Sequence, residues 1–206
     1  MELKKNNEVF KLTFSAILLS VAIVLEIISK AIPFLKMPNG GGISLAMLPL
    51  VIVAYVFGFR YGITVGVAYG LIDCFVLDGY GFNIFSFFLD YILGFGAMGI
   101  AAVTRKKSLE GNNVSFILGF LVAACLRWIF SGFSGVINAK IWGYDENFLA
   151  GLFGSSRSGI FWLYFYSFIY YNLPYITVST ILCIAVGLTI KKQLFQYFSG
   201  QTFSQP

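Results

Sequence analysis

Six apolar runs, each bounded by charged or turn-forming residues, constrain this chain more than any other feature. They fall at about 10–33, 44–58, 62–77, 84–104, 114–138 and 160–190. A membrane-spanning helix needs about 20 apolar residues, so 206 residues hold about six spans and little else. Charged residues make up 11% of the chain and hydrophobic ones 58%, whereas a soluble domain carries about 25% charged residues. A globule of this size cannot bury that much apolar surface, so lipid is its solvent. The pattern predicts an all-α integral membrane protein, one membrane domain over 1–206, with six transmembrane helices. The first run lacks a cleavage-site pattern and is too long for a signal h-region, so it reads as a retained span.

The charges between the runs set an orientation. Six spans put both termini on one side, together with Lys4, Lys5, Lys11, Arg60, Arg105, Lys106, Lys107, Lys191 and Lys192. Lys30, Lys36, Lys140 and Arg157 fall on the other. Nine against four places both termini in the cytoplasm. Runs two and three are short, which suits a bundle of unequal helices. The sixth is long and contains Pro174, where a kink is expected. The segment at about 139–159 reads as an external, aromatic lid or interfacial stretch. The tail after Lys192 reads as a cytoplasmic interfacial segment.

Several chemistries are excluded. The net charge of +5 is scattered over span ends, so no nucleic-acid partner is expected. Cys74, Cys125 and Cys183 sit in apolar runs and read as packing residues, and the chain has no histidine. There is no Walker A loop, GxSxG, metal-ligand cluster or dinucleotide fingerprint. No cofactor is expected, and uphill movement of a solute would need a partner subunit or an ion gradient.

Ionisable residues within a span usually face the protein interior. Here they are Glu26, Asp73, Asp90 and Arg127. A structural pair between Arg127 and one acid is one reading. The other is a ligand site at Asp90, because Tyr80, Phe82, Phe85, Phe87, Phe88 and Tyr91 are near it in sequence and a carboxylate among ring faces attracts a cation or a flat heterocycle. Gly62, Gly66 and Gly70 form a small-residue ridge, as do Ala16 and Ser20 with a further Ala22. Each serves either internal packing or docking to another membrane protein. Asn172, deep in a run rich in tyrosine, needs a partner from a neighbouring helix or a ligand.

Five segments carry a family resemblance: Pro38–Pro49 (PNGGGISLAMLP), Phe57–Gly62 (FGFRYG), Leu89–Gly99 (LDYILGFGAMG), Arg127–Ile137 (RWIFSGFSGVI) and Tyr166–Asn172 (YSFIYYN). In that order they resemble the thiamine-specific substrate-binding subunit of energy-coupling factor transporters. The resemblance implies a multi-pass subunit of a prokaryotic cell membrane that captures a vitamin near the outer face. It also implies partners: one transmembrane coupling protein and two cytoplasmic ATPase subunits. Asp90, Tyr91, Tyr80, Ser131, Gly135, Tyr166 and Asn172 match its ligand positions, and Ala16 and Ser20 match its docking motif. The loop between spans one and two is implied to close over the ligand. Asp90 stands where the family usually has glutamate, and Ser131 where it usually has histidine. These departures leave thiamine, a related precursor and another flat vitamin open as ligands. A stand-alone ion-coupled carrier or channel using Asp90 and Arg127 as a relay, and a scaffold without a ligand, are the readings from other classes.

Overall fold

Glu8 opens the first helix, α1 (Glu8–Ala31), at its positive end, and Lys30 sits in its last turn. Both signs complement the helix dipole. The computed structural model describes residues 8–38, 40–78, 83–156 and 158–200. Only Phe10, Ser15, Ala22 and Glu26 of α1 are buried. Leu12, Ile17, Val21, Val24 and Ile28 are exposed along its outward side, a face suited to lipid or to another apolar surface.

Helix α2 (Met47–Phe57) is apolar all round, and Met47–Val56 are all buried. A helix of that composition belongs at the centre of a bundle. Gly58 ends it with φ +91°, a conformation that favours glycine, and α3 (Phe59–Ile72) starts at the next residue. Arg105 Nε and Nη2 donate to the carbonyls of Tyr55 and Val56, both at 2.8 Å, so a cation closes the negative end of α2.

The Gly62 ridge faces inward. A Cβ at Gly62 would lie 2.7 Å from Ala54 Cβ and 2.8 Å from Gly99 Cα. At Gly66 and Gly70 it would strike the carbonyl oxygens of Phe95 and Tyr91. The ridge therefore serves internal packing. Ala16 and Ser20 are exposed on α1, whereas Ala22 is buried.

Helix α4 (Ile84–Leu109) begins at Asn83, whose side chain forms a capping box with Ser86. Asn112 caps α5 (Asn113–Ile141), and Asp145 caps a short α6 (Glu146–Leu152) inside the expected external loop. The last helix, α7 (Ile160–Phe198), is continuous through Pro174. Among the described residues, α1, α3 with its extension to Leu77, α4, α5 and α7 are long and apolar enough to cross a membrane. The apolar α2 is shorter.

Past Lys192, α7 continues and buries Phe195 and Phe198, which are 3% and 1% exposed. Phe198 meets the rings of Phe10 and Phe57, and Phe195 meets Tyr55. Lys191 Nζ donates to the carbonyl of Gly111 at 3.0 Å.

Candidate functional site: a ring-walled cavity at Asp90

Three helices widen into π turns, at Asp73–Asp78, Phe87–Gly94 and Phe165–Asn172. Such turns insert an extra residue and are frequent at functional sites. Each contributes to one cavity: Asp73 from the first, Asp90 and Tyr91 from the second, Tyr166, Ser167, Tyr171 and Asn172 from the third. The cavity measures about 100 Å³. A second chamber of about 250 Å³ adjoins it, and Gly40, Gly41, Tyr91, Phe95, Arg127 and Tyr175 border both.

Asp90 accepts a hydrogen bond on Oδ2 from Ser134 Oγ. Asn138 Nδ2 donates to Ser134 Oγ at 3.5 Å, and Asn83 Nδ2 donates to Asn138 Oδ1. Ser131, Ser134 and Asn138 lie three and four residues apart, so they share one face of α5, and all three are buried.

Asn172 pins the opposite wall. Its Nδ2 donates to the carbonyls of Ser167 at 2.8 Å and Ser131 at 3.3 Å, and its Oδ1 accepts from Tyr175 Oη at 2.8 Å. Ser167 Oγ donates to the carbonyl of Gly132 at 2.6 Å. A side chain at Gly135 would run into Ser167 and Asn172, so glycine there is what allows α5 and α7 to close around the cavity.

The segment between α1 and α2 crosses this region as a strap. Ile43 N donates to the carbonyl of Leu35 at 2.8 Å and Met37 N to that of Gly41 at 3.1 Å. Gly40 and Gly41 have φ of +93° and +76°, which favours glycine. Tyr171 Oη donates to the carbonyl of Gly40 at 2.7 Å, and Ser44 N donates to Ser179 Oγ at 3.1 Å. Both bonds tie the strap to α7.

Of the two readings of the buried charges, the one that pairs Arg127 with an acid is not what the described residues form. Lys30 Nζ lies 2.7 Å from Asp73 Oδ1 and 3.7 Å from Glu26 Oε1. Arg127 has no ion pair with an acid among the described residues. Its Cζ stands 4.2 Å from the Phe95 ring centre, and its Nε has no hydrogen-bond partner among the described residues. Lys30 sits one helical turn from Glu26 and faces the end of α3, so it reaches both acids first.

Of the residues singled out from the sequence, the structure brings Asp90, Tyr91, Ser131, Gly135, Tyr166 and Asn172 to one cavity. Tyr80 lies outside the described residues, as does Phe82. Ala16 and Ser20 stand apart, on the outward face of α1. Among the described rings near Asp90 in sequence, Tyr91 lines the cavity, whereas Phe85 and Phe88 are 54% and 51% exposed, because successive positions of a helix point in different directions. Phe95, Trp142, Tyr166, Tyr171 and Tyr175 take that role with Tyr91. Sequence reasoning passed over Ser134 and Asn138, although their spacing from Ser131 was a polar stripe on an otherwise apolar span.

Fold and cavity together define a multi-pass helical membrane protein with an internal cavity, partly polar and walled by rings. The pattern of the Thiamine transporter protein (Thia_YuaJ) family matches residues 12–199. The chain belongs to that family, and so is a transporter rather than an enzyme. It is 27% identical over 188 residues to the thiamine transporter ThiT of Bacillus subtilis (strain 168), covering 89% of this chain and 91% of that one. Its fold is similar to that of ThiT from Listeria monocytogenes, with a TM-score of 0.67, 21% identity, and coverage of 92% of this chain and 99% of that one.

Proposed function

We propose that this chain captures thiamine at the outer face of the membrane and passes it inward while partner subunits hydrolyse ATP. Thiamine carries a permanently positive thiazolium ring joined to a flat aminopyrimidine. A carboxylate supplies the counter-charge and aromatic faces supply stacking surface. The observation that carries this reading is the single cavity shared by Asp90 and the rings of Tyr91, Phe95, Trp142 and Tyr166. Asp90 is the counter-ion, and Tyr91, Tyr166 and the α5 face at Ser131 and Gly135 shape the ring slots. Asn172 holds the α5–α7 wall, and the family resemblance alone adds Tyr80 as a ligand residue.

In this reading residues 1–206 form one membrane domain of six spans, the short α2 being the extra one, with both termini in the cytoplasm. The excess of nine basic residues over four on the terminal side supports that orientation. A transmembrane coupling protein and two cytoplasmic ATPases are the partners, and the exposed Ala16 and Ser20 on α1 are where the coupling protein docks.

The test is direct. Mass spectrometry of the purified protein identifies any retained small molecule, and thiamine is then titrated against the fluorescence of Trp128 and Trp142. The Asp90→Asn protein is expected to bind thiamine at least about tenfold more weakly, a cost of about 1.4 kcal/mol. Equal affinity in the two proteins removes Asp90 from the site, and an absence of thiamine binding refutes the reading.

A further inference from the structure

Behind Asp90 runs a chain of hydrogen bonds in which every donor points the same way. The amides of Phe85 and Ser86 donate to Asn83 Oδ1, at 3.0 and 3.1 Å. Asn83 Nδ2 then donates to Asn138 Oδ1, Asn138 Nδ2 to Ser134 Oγ at 3.5 Å, and Ser134 Oγ to Asp90 Oδ2. The two amides fix which end of Asn83 is its oxygen, and that choice fixes each later link. A hydroxyl has one proton and two acceptor sites, so Ser134 can take the Asn138 proton on one side while giving its own to Asp90. Hydrogen bonds in series polarise one another. The series begins at the first turn of α4, whose amides are the positive end of that helix. Asp90 is asked only to accept.

We propose that Ser134, backed by Asn138 and Asn83, is the positioning residue of the ligand site. It holds the short Asp90 carboxylate in one orientation and so fixes where the cationic ring of the ligand sits. Asp90 carries one methylene fewer than glutamate, so χ1 alone sets where its carboxylate lies and χ2 only turns it in place. Ser134 is fully buried, and Asn138 is 8% exposed and lines the cavity, so the chain is built into the wall. Its outer end, Asn83, is also the cap of α4, so the seat of the carboxylate is set by the start of that helix. This inference rests on Asp90 being the counter-ion of thiamine.

A double-mutant cycle on the purified full chain, read by thiamine titration, tests it. Ser134→Ala is expected to weaken thiamine binding by about tenfold beside Asp90, and by less than about twofold in the Asp90→Asn background. Asn138→Leu, which breaks the chain one link back at similar volume, is expected to weaken binding by about threefold with the same dependence on Asp90. It stands in for Ser134→Ala should that protein fail to fold. An equal loss in both backgrounds overturns the inference, because Ser134 would then act without Asp90. So does full affinity in a folded Ser134→Ala protein. A silent Asp90→Asn variant is the separate outcome that overturns the site reading itself.

Discussion

Tyr171→Phe removes one hydroxyl from the site and leaves its ring in place. That hydroxyl donates to the carbonyl of Gly40 at 2.7 Å and is one of the bonds that tie the strap between α1 and α2 to α7. The ring contacts with Tyr166 and Tyr175, at 5.9 and 6.3 Å between centres, survive the change. A hydrogen bond of this kind contributes about 0.5–1.5 kcal/mol net. Gly40 is half-buried, so water can satisfy its carbonyl once the phenol is gone, and no further desolvation penalty is added. The loss is therefore about 1 kcal/mol, or about fivefold. It should appear in the rate of thiamine release, since changes at an existing interface act mainly on dissociation. Stopped-flow dissociation followed by tryptophan fluorescence measures it directly. Gly41→Ala should act in the same direction, because φ is +76° there and a left-handed non-glycine residue costs about 1–2 kcal/mol. An unchanged release rate in Tyr171→Phe refutes the idea that this bond holds the strap closed.

Three further outcomes follow from the packing. Lys30→Met strips the shared cation from Glu26 and Asp73, and breaking a buried pair costs about 3–5 kcal/mol; thermal unfolding in detergent should fall sharply and recover in part when Asp73→Asn is added. Gly62→Ala forces a methyl against Ala54 and Gly99 at under 3 Å, so over-packing should cost about 1–3 kcal/mol, read by the same unfolding assay; full stability would mean that α3 and α4 can separate freely. Ala16→Trp should leave thiamine affinity unchanged in the isolated chain while reducing uptake in cells; normal uptake would make that face of α1 a lipid surface only.

The positions of the apolar helices were legible because lipid imposes a simple rule, and basic clusters such as Arg105-Lys106-Lys107 mark where it stops applying. The cavity was legible in part. Asp90, Ser131, Gly135 and Asn172 stand out because polar or very small residues in apolar helices need a reason. What could not be read was which rings meet them. Trp142 lies 52 positions from Asp90 in sequence, and only the folded chain brings the two to one wall. Phe85 and Phe88 were near in sequence and turned outward. Arg127 pairs with no acid among the described residues, because reach decides the pairing: Lys30 is one turn from Glu26 and 2.7 Å from Asp73. Lys191-Lys192 looked like an end for α7, yet Phe195 and Phe198 had aromatic partners waiting in Phe10, Tyr55 and Phe57.

The wide turns at Asp73–Asp78, Phe87–Gly94 and Phe165–Asn172 also govern how this protein lines up with its relatives. A single residue gained or lost in such a turn shifts the facing of everything after it by about 100° while changing the helix length by only about 1.5 Å. Contacts transferred from another protein by counting along α4 or α7 will point the wrong way unless the count is reset at each of these places. Alignments of this chain should therefore admit one-residue gaps inside its membrane helices, where gaps are ordinarily forbidden.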